Sequence, residues 1–492
     1  MKKVILSLIA LGFLASCSQN LEQSPTDVFP TEDMGKVDPA QQAGPLLSNA
    51  VLRMHTMGSG TDYTSYKVQQ MAMDLMGNDM WMPVSGHSGW HFNDYQMMYY
   101  RTQTDSRPSS QWSNYYKNIF QANQAMEFLP ADLSTASNPA LAKLIKAQAK
   151  TYRAFNYYHL ITLFQDAYLH GGKDKAGIPY YTRSDEEAKG RGNAKDVYDS
   201  IMVDITEAIA LFKEAGMAPS SKEDISIYVA YMVQARLALT MGQYSLAASA
   251  AGEVIKGFSL MSKDQAMDNG FQKLSSPEAI WGYQWVLSTS LTNNSFSSHI
   301  SANCNGGYGG SGGGFKGIDE RLYNQIAASD WRKELFYAAP TQITYTSYAP
   351  KEAPAYTNKK FNSVSYECDE VYMRAAEAYF IKAEAEAKSS GDAAQTLYNI
   401  VSTRDASYVK STKSGQALVD EIMLHKRIEM WGEGLEFYDN KRLNKGVDRT
   451  SSTAHTVSKV VAPGKDFTFQ IPLSGEIELN PHIDKDKDQN PL

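Results

Sequence analysis

The sequence predicts a mainly α fold, a helical repeat scaffold interrupted by a large irregular, loop-rich region. Three observations carry that prediction. Several segments place apolar residues at three-to-four spacing, the period of a helix with one buried face. Two Ala-rich helix–turn–helix pairs recur far apart in the chain. Between them, Asp264 to Tyr366 has no apolar period and is dominated in its middle by Gly, Ser and Asn. The 492 residues are 43% hydrophobic and 21% charged, a composition that readily builds a core. A net charge of −7 argues against nucleic acid as a partner and leaves no polybasic membrane patch.

In chain order, Lys2 and Lys3 precede the apolar run "VILSLIALGFLA". That run is shorter than the ~20 residues that span a bilayer and fits a secretory signal. It ends in "LASC", Leu14 to Cys17, which resembles a bacterial lipobox. Residues 1–16 are therefore expected to be a lipoprotein signal peptide, with Cys17 acylated at the mature N-terminus. Acylation would anchor the protein to a membrane without a spanning segment. Residues 17–45 are polar, carry Pro, and read as an extended lead.

Residues 46–263 form the expected N-terminal helical part, with an aromatic loop at 77–111. Its helices are predicted over Trp112–Leu129, Ala140–Leu163 and Val197–Phe212. The clearest pair is "IYVAYMVQARLALTMGQYSLAASAAGEVI", Ile227 to Ile255, in which Gly242 stops the first helix and Ala residues sit at the crossing. It resembles one tetratricopeptide repeat unit. Residues 264–366 read as a loop-rich insertion, too long for a simple linker. Residues 367–442 form a C-terminal helical repeat part, whose pair, Val371 to Ala406, breaks at Ser389–Asp392. A solenoid requires the two pairs to stack in space, with the insertion as an excursion. Residues 443–492 are irregular, with one strand-like run, "DFTFQIPL".

Catalytic motifs are absent or fail on context. Gly307 to Gly312 matches GxGxxG and Gly309 to Gly313 matches GxSxG, but neither follows an apolar strand or opens a helix. No HExxH occurs, and the nine His show no ligand spacing. The charged block "HKRIEMWGEGLEFYDNKR" sets Glu429, Glu433 and Glu436 among Arg427, Lys441 and Arg442, so ion pairing is preferred to a glycosidase carboxylate pair. "DKDKDQN", Asp484 to Asn490, alternates like a calcium loop but lacks its Gly and terminal Glu, so no cofactor is expected and a structural calcium ion is the one open alternative. Cys304 and Cys368 are expected to be free thiols, although the compartment would permit a bridge.

What remains is aromatic. Trp81, Trp90, Phe92 and Tyr95 lie in a Gly/Ser/Asn-rich stretch just after Asn78 and Asp79. Tyr283 and Trp285 lie where "EAIWGYQW" enters the excursion. Aromatic faces stack on the C–H faces of sugar rings, and Asn or Asp can bond the hydroxyl rim. These eight residues are the candidate ligand contacts. The competing reading is that the rings plug a loop-rich core.

Read in order, several segments resemble the SusD/RagB family of surface lipoproteins. They are "WSNYYKNIFQANQAM", "AQAKTYRAFNYYHLITLFQDAYL", "SSPEAIWGY", "VYMRAAEAYFIKAEA", "LHKRIEMWGEGLEFYDNKR" and "FQIPLSGEIELNP". Gln165 and Tyr168 depart from the family's usual turn, and Ile428 separates Arg427 from Glu429 where the family has Glu-Arg. The resemblance implies a tetratricopeptide-like scaffold whose irregular half bears the ligand face. It implies a non-enzymatic, lipid-anchored outer-membrane protein at the cell surface. Such a protein captures an oligosaccharide and delivers it to a SusC-type TonB-dependent transporter. Alternatives are a peptide-binding member of the same family, an interaction scaffold without its own ligand and, least favoured, a glycoside hydrolase.

Overall fold

The computed structural model describes residues 38–56, 65–84, 90–98, 100–286 and 292–492. The signal segment and Cys17 lie outside the described residues. The described part is mainly helical, and its strands occur only in short antiparallel pairs. No described helix is long and apolar enough to cross a membrane.

The scaffold is a continuous helical stack. Ser106–Glu127 packs on Pro139–Phe164, which packs on Ala194–Ala215 and in turn on Ile227–Met241. Each boundary has a local cause. Asn138 caps Pro139–Phe164 by accepting from Leu141 N, with Pro139 preset at the first turn. Gly242, at φ +75°, ends Ile227–Met241 in the left-handed region, and Gln243 N donates back to Ala238 O. The predicted pair is thus realised as Ile227–Met241 and Tyr244–Gly257.

The two sequence-distant pairs stack as a solenoid requires. Ala375–Ala387 lies against Tyr244–Gly257, where Ala247, Ala250 and Ala251 are buried and allow close approach. Arg236 clamps the junction with a bidentate, buried pair to Glu377 (2.8 and 2.6 Å). Ala393–Val401 and Gly415–Glu429 complete this end.

The excursion is closed at its base. The strand Ala279–Tyr283 pairs antiparallel with Glu370–Arg374, so entrance and exit are zipped together, and every residue of both strands is buried. Trp281 packs edge-on to Phe155 and Tyr372 while its indole donates to Glu223 O (3.0 Å). Beyond the zip, the excursion carries a second core. Phe296, Ile300, Ile318, Trp331 and Phe361 meet Val68, Met71 and Leu75 of the helix Tyr66–Leu75. The region predicted as loops therefore contains short helices and strands that share this core.

The "DFTFQIPL" run does not form a strand. Its backbone makes isolated bonds, Phe469 N to Leu163 O and Gln470 N to Arg101 O, because no neighbouring strand offers a ladder. Lys441 latches this segment to the scaffold, donating to Thr162 O (2.6 Å) and Phe467 O (2.8 Å). Cys304 and Cys368 are unbridged. Asp484 caps its own turn by accepting from Asp486 N and Lys487 N. No group of three or more metal-ligating side chains occurs among the described residues.

Candidate functional site

The eight predicted contacts divide by environment. Asn78 and Asp79 form a strut to the C-terminal block. The Asn78 amide accepts from Asp448 N (2.8 Å), and Asp79 pairs bidentately with Arg427. Both backbone N–H groups donate to Glu436, and Asp79 O accepts from the Trp431 indole (2.8 Å). Burial, together with the neighbouring Asp79 carboxylate, lifts the Glu436 carboxyl well above the usual range.

Trp81 is 2% exposed. It pairs with Gly317, where a Cβ would stand 2.4 Å from its ring, so only glycine lets the two strands close. Tyr95 is buried with its hydroxyl on His455 Nδ1 (2.9 Å) and the Arg449 guanidinium over its ring. Phe92 is half-buried against the second core. Tyr283 is buried and stacks on His55 (3.8 Å). Trp285 is half-buried, and its backbone N–H donates to Asp369 (3.0 Å). Trp81, Tyr95 and Tyr283 thus pack the interior, each 3% exposed or less. Partners distant in sequence cover them, and local pattern cannot show such partners.

Trp90 differs. It is half-buried, and its ring lies 5.8 Å from that of Tyr308 at 56°. Tyr308 contacts His299 in turn (5.1 Å). The Gly-rich run places this tyrosine. A Cβ at Gly309 would stand 2.4 Å from His299 O, and one at Gly310 2.3 Å from Cys304 O, so the loop lies flat on the short helix Phe296–Ile300. Gly309 N donates to Ser298 O (2.7 Å) and Tyr308 N to Ser298 Oγ (3.2 Å). The glycines serve close backbone packing rather than phosphate binding. The Asn293 amide donates to the Tyr308 hydroxyl (3.1 Å), and Asn294 stands beside it. Tyr366 approaches Gly306, and Tyr348 is 52% exposed nearby. The result is a half-exposed pair of rings flanked by amides, a surface able to stack on a flat apolar face and bond a polar rim. Tyr308 was missed because it sat inside a motif match that failed on context.

Two of the block's three glutamates, Glu429 and Glu433, are consumed by ion pairs. Glu429 meets Arg374 (2.8 Å), Arg404 (3.1 Å) and Arg332 (3.2 Å). Burial alone would raise Glu433, but Arg374 and Lys360 outweigh it and hold the carboxyl at about 2. Burial and the Arg332 charge lower His425 to about 4. Glu429 and Glu433 are thus committed to cations, whereas Glu436 is held by the Asn78 and Asp79 backbone N–H groups and has no cationic partner among the described residues.

These features define a class: a tetratricopeptide-like helical protein presenting an aromatic face on an irregular excursion. Comparison with known proteins places it further. Residues 40–239 match a family model described as "Starch-binding associating with outer membrane", and residues 332–471 match the model of the SusD family. The chain belongs to the SusD/RagB family. A SusD-like protein of Bacteroides ovatus is 21% identical over 484 residues, covering 89% of this chain and 81% of that protein. SusD-like protein P38 of Formosa agariphila is 26% identical over 217 residues, covering 41% of this chain and only 36% of that protein. The crystal structure of a SusD-like carbohydrate binding protein from Bacteroides vulgatus superposes with a TM-score of 0.77 at 23% identity, covering 92% of this chain and 98% of that one. That likeness shows a shared fold.

Proposed function

We propose that the protein is a lipid-anchored, outer-membrane glycan-binding protein without catalytic activity. It holds an oligosaccharide on the Trp90–Tyr308 face, with Asn293 and Asn294 at the hydroxyl rim. It then passes the sugar to a SusC-type TonB-dependent transporter, and acylated Cys17 keeps it at the membrane. The observation that carries the reading is the half-exposed Trp90–Tyr308 ring pair flanked by amides. Family membership and the carbohydrate-binding neighbour support it. Of the eight residues, Trp90 is retained as a direct contact, half-buried Phe92 as its neighbour in sequence, and the rest, Trp285 included, as support for the scaffold.

Affinity electrophoresis of the soluble mature protein through gels containing a panel of polysaccharides tests this. One glycan should retard the protein, and Trp90→Ala or Tyr308→Ala should abolish most of the retardation, because each stacked ring is worth about 1 kcal/mol. Retardation unchanged in both variants would remove the ligand from this face. No retardation by any glycan would point to a peptide cargo or a pure scaffold.

A further inference from the structure

A cavity of about 310 Å³ opens between the helix Pro39–Leu52 and the strand pair that closes the excursion. Leu47 and Val51 wall it, Tyr283 and Tyr372 form its floor, and Glu223 and Asp224 stand at its mouth. It shares no lining residue with the Trp90–Tyr308 face.

Two independent features mark it as a site. The first is at the floor. The Tyr372 side chain is 6% exposed, and its hydroxyl has no hydrogen-bond partner among the described residues. Behind Tyr283, His55 is buried with no hydrogen bond to either ring nitrogen among the described residues, its Nδ1 3.5 Å from the Glu370 carboxylate. Glu370 Oε1 accepts from Ser65 Oγ (3.0 Å), and its other oxygen has no hydrogen-bond partner among the described residues. Buried polar atoms are rarely left unsatisfied, since each costs about 1–3 kcal/mol. Of these groups only the Tyr372 hydroxyl lines the cavity, and it calls for an occupant with a hydrogen-bonding group.

The second feature is at the mouth. Glu223 accepts from Gln284 N (3.0 Å), and Asp224 accepts from Ser220 Oγ (3.0 Å). Neither carboxylate has a cationic partner among the described residues. Lys222, between Ser221 and Glu223 in sequence, turns its ammonium away to Ser276 O (2.7 Å). Two uncompensated carboxylates above a tyrosine floor favour a cation, and an ammonium gains both charge-assisted hydrogen bonds and aromatic contact.

We propose that this cavity is a second binding site, for a small hydroxylated primary amine of the amino-sugar class. The ammonium pairs with Glu223 and Asp224 at the mouth, and a ligand hydroxyl meets the Tyr372 phenol at the floor. Glucosamine is the probe. Titration calorimetry on the soluble mature protein should give saturable binding, with glucose and N-acetylglucosamine at least about tenfold weaker because they lack the ammonium. The double variant Glu223→Gln/Asp224→Asn should weaken glucosamine by about tenfold or more, and Tyr372→Phe by a smaller factor. The rim pair is half-exposed or adjoins exposed Ser220, so its variant should keep the native thermal midpoint even if Tyr372→Phe disturbs packing. Trp90→Ala should bind glucosamine as the wild type does. The proposal is overturned by absence of saturable glucosamine binding, by equal affinity for glucose, or by full binding in the rim variant. Loss of binding in Trp90→Ala with the rim intact would assign the amine to the glycan face and overturn it equally.

Discussion

Replacing Trp81 with Ala separates the two roles open to the aromatic residues of this chain. The side chain is 2% exposed and packs with Ala302, Phe315, Ile343 and Tyr345 in a small core of the excursion. Its ring fills the space that Gly317 leaves by lacking a Cβ. Truncating a buried Trp removes its transfer free energy and leaves a cavity that rigid neighbours cannot close, at a cost of about 3–5 kcal/mol. Trp90, half-buried beside Tyr308, should cost about 1 kcal/mol or less on the same substitution. The assay is urea denaturation followed by far-ultraviolet circular dichroism, with glycan retardation measured on the same preparations. Trp81→Ala should move the unfolding midpoint far to lower urea while the folded fraction still binds glycan. Trp90→Ala should keep the midpoint and lose the glycan. A Trp81→Ala protein of wild-type stability that has lost binding would refute the assignment of this ring to the core.

Three further outcomes follow from the buried polar groups. Glu429→Gln removes the shared counter-charge of Arg374, Arg404 and Arg332 and should destabilise by about 3–5 kcal/mol in the same denaturation assay. Burial raises the Asp74 carboxyl from 3.8 to about 7. Because the folded value is the higher one, this group's contribution is complete below the unfolded value and is lost as pH rises through 7. Urea midpoints of the wild type should therefore fall between about pH 4.5 and 7.5 relative to those of Asp74→Asn, whose amide does not titrate there. Lys441→Met strips the ammonium from Thr162 O and Phe467 O, at about 1–3 kcal/mol, and should make the segment after Arg442 the first to be cut in limited proteolysis.

What the sequence made legible was local and periodic. The Ala140–Leu163 prediction falls within Pro139–Phe164, because Asn138, Pro139 and an unbroken apolar pattern all state the same element. Gly242 marked its turn because a left-handed position selects for glycine. The stacking of the two repeat pairs was foreseeable from their small residues, although the Arg236–Glu377 clamp between them was not. Pairing over long separations was hidden. Nothing near "EAIWGYQW" names Glu370–Arg374 as its partner strand, and nothing near Trp81 names Gly317 as its lid. The alternation in "DFTFQIPL" suggested a strand, but pattern alone cannot supply the neighbour that a ladder needs. At the candidate face, richness in rings was legible and exposure was not. The eight residues shared a composition, and tertiary contacts decided which of them could meet a ligand.

The central claim is that glycan is held on the Trp90–Tyr308 face. Titration calorimetry with the glycan selected by gel retardation tests it most directly, comparing the wild type with Trp90→Ala/Tyr308→Ala at matched stability. The account predicts saturable binding to the wild type and a loss of at least about tenfold in the double variant, the worth of about 1.4 kcal/mol of ring contact. Equal affinity in the two proteins would contradict it.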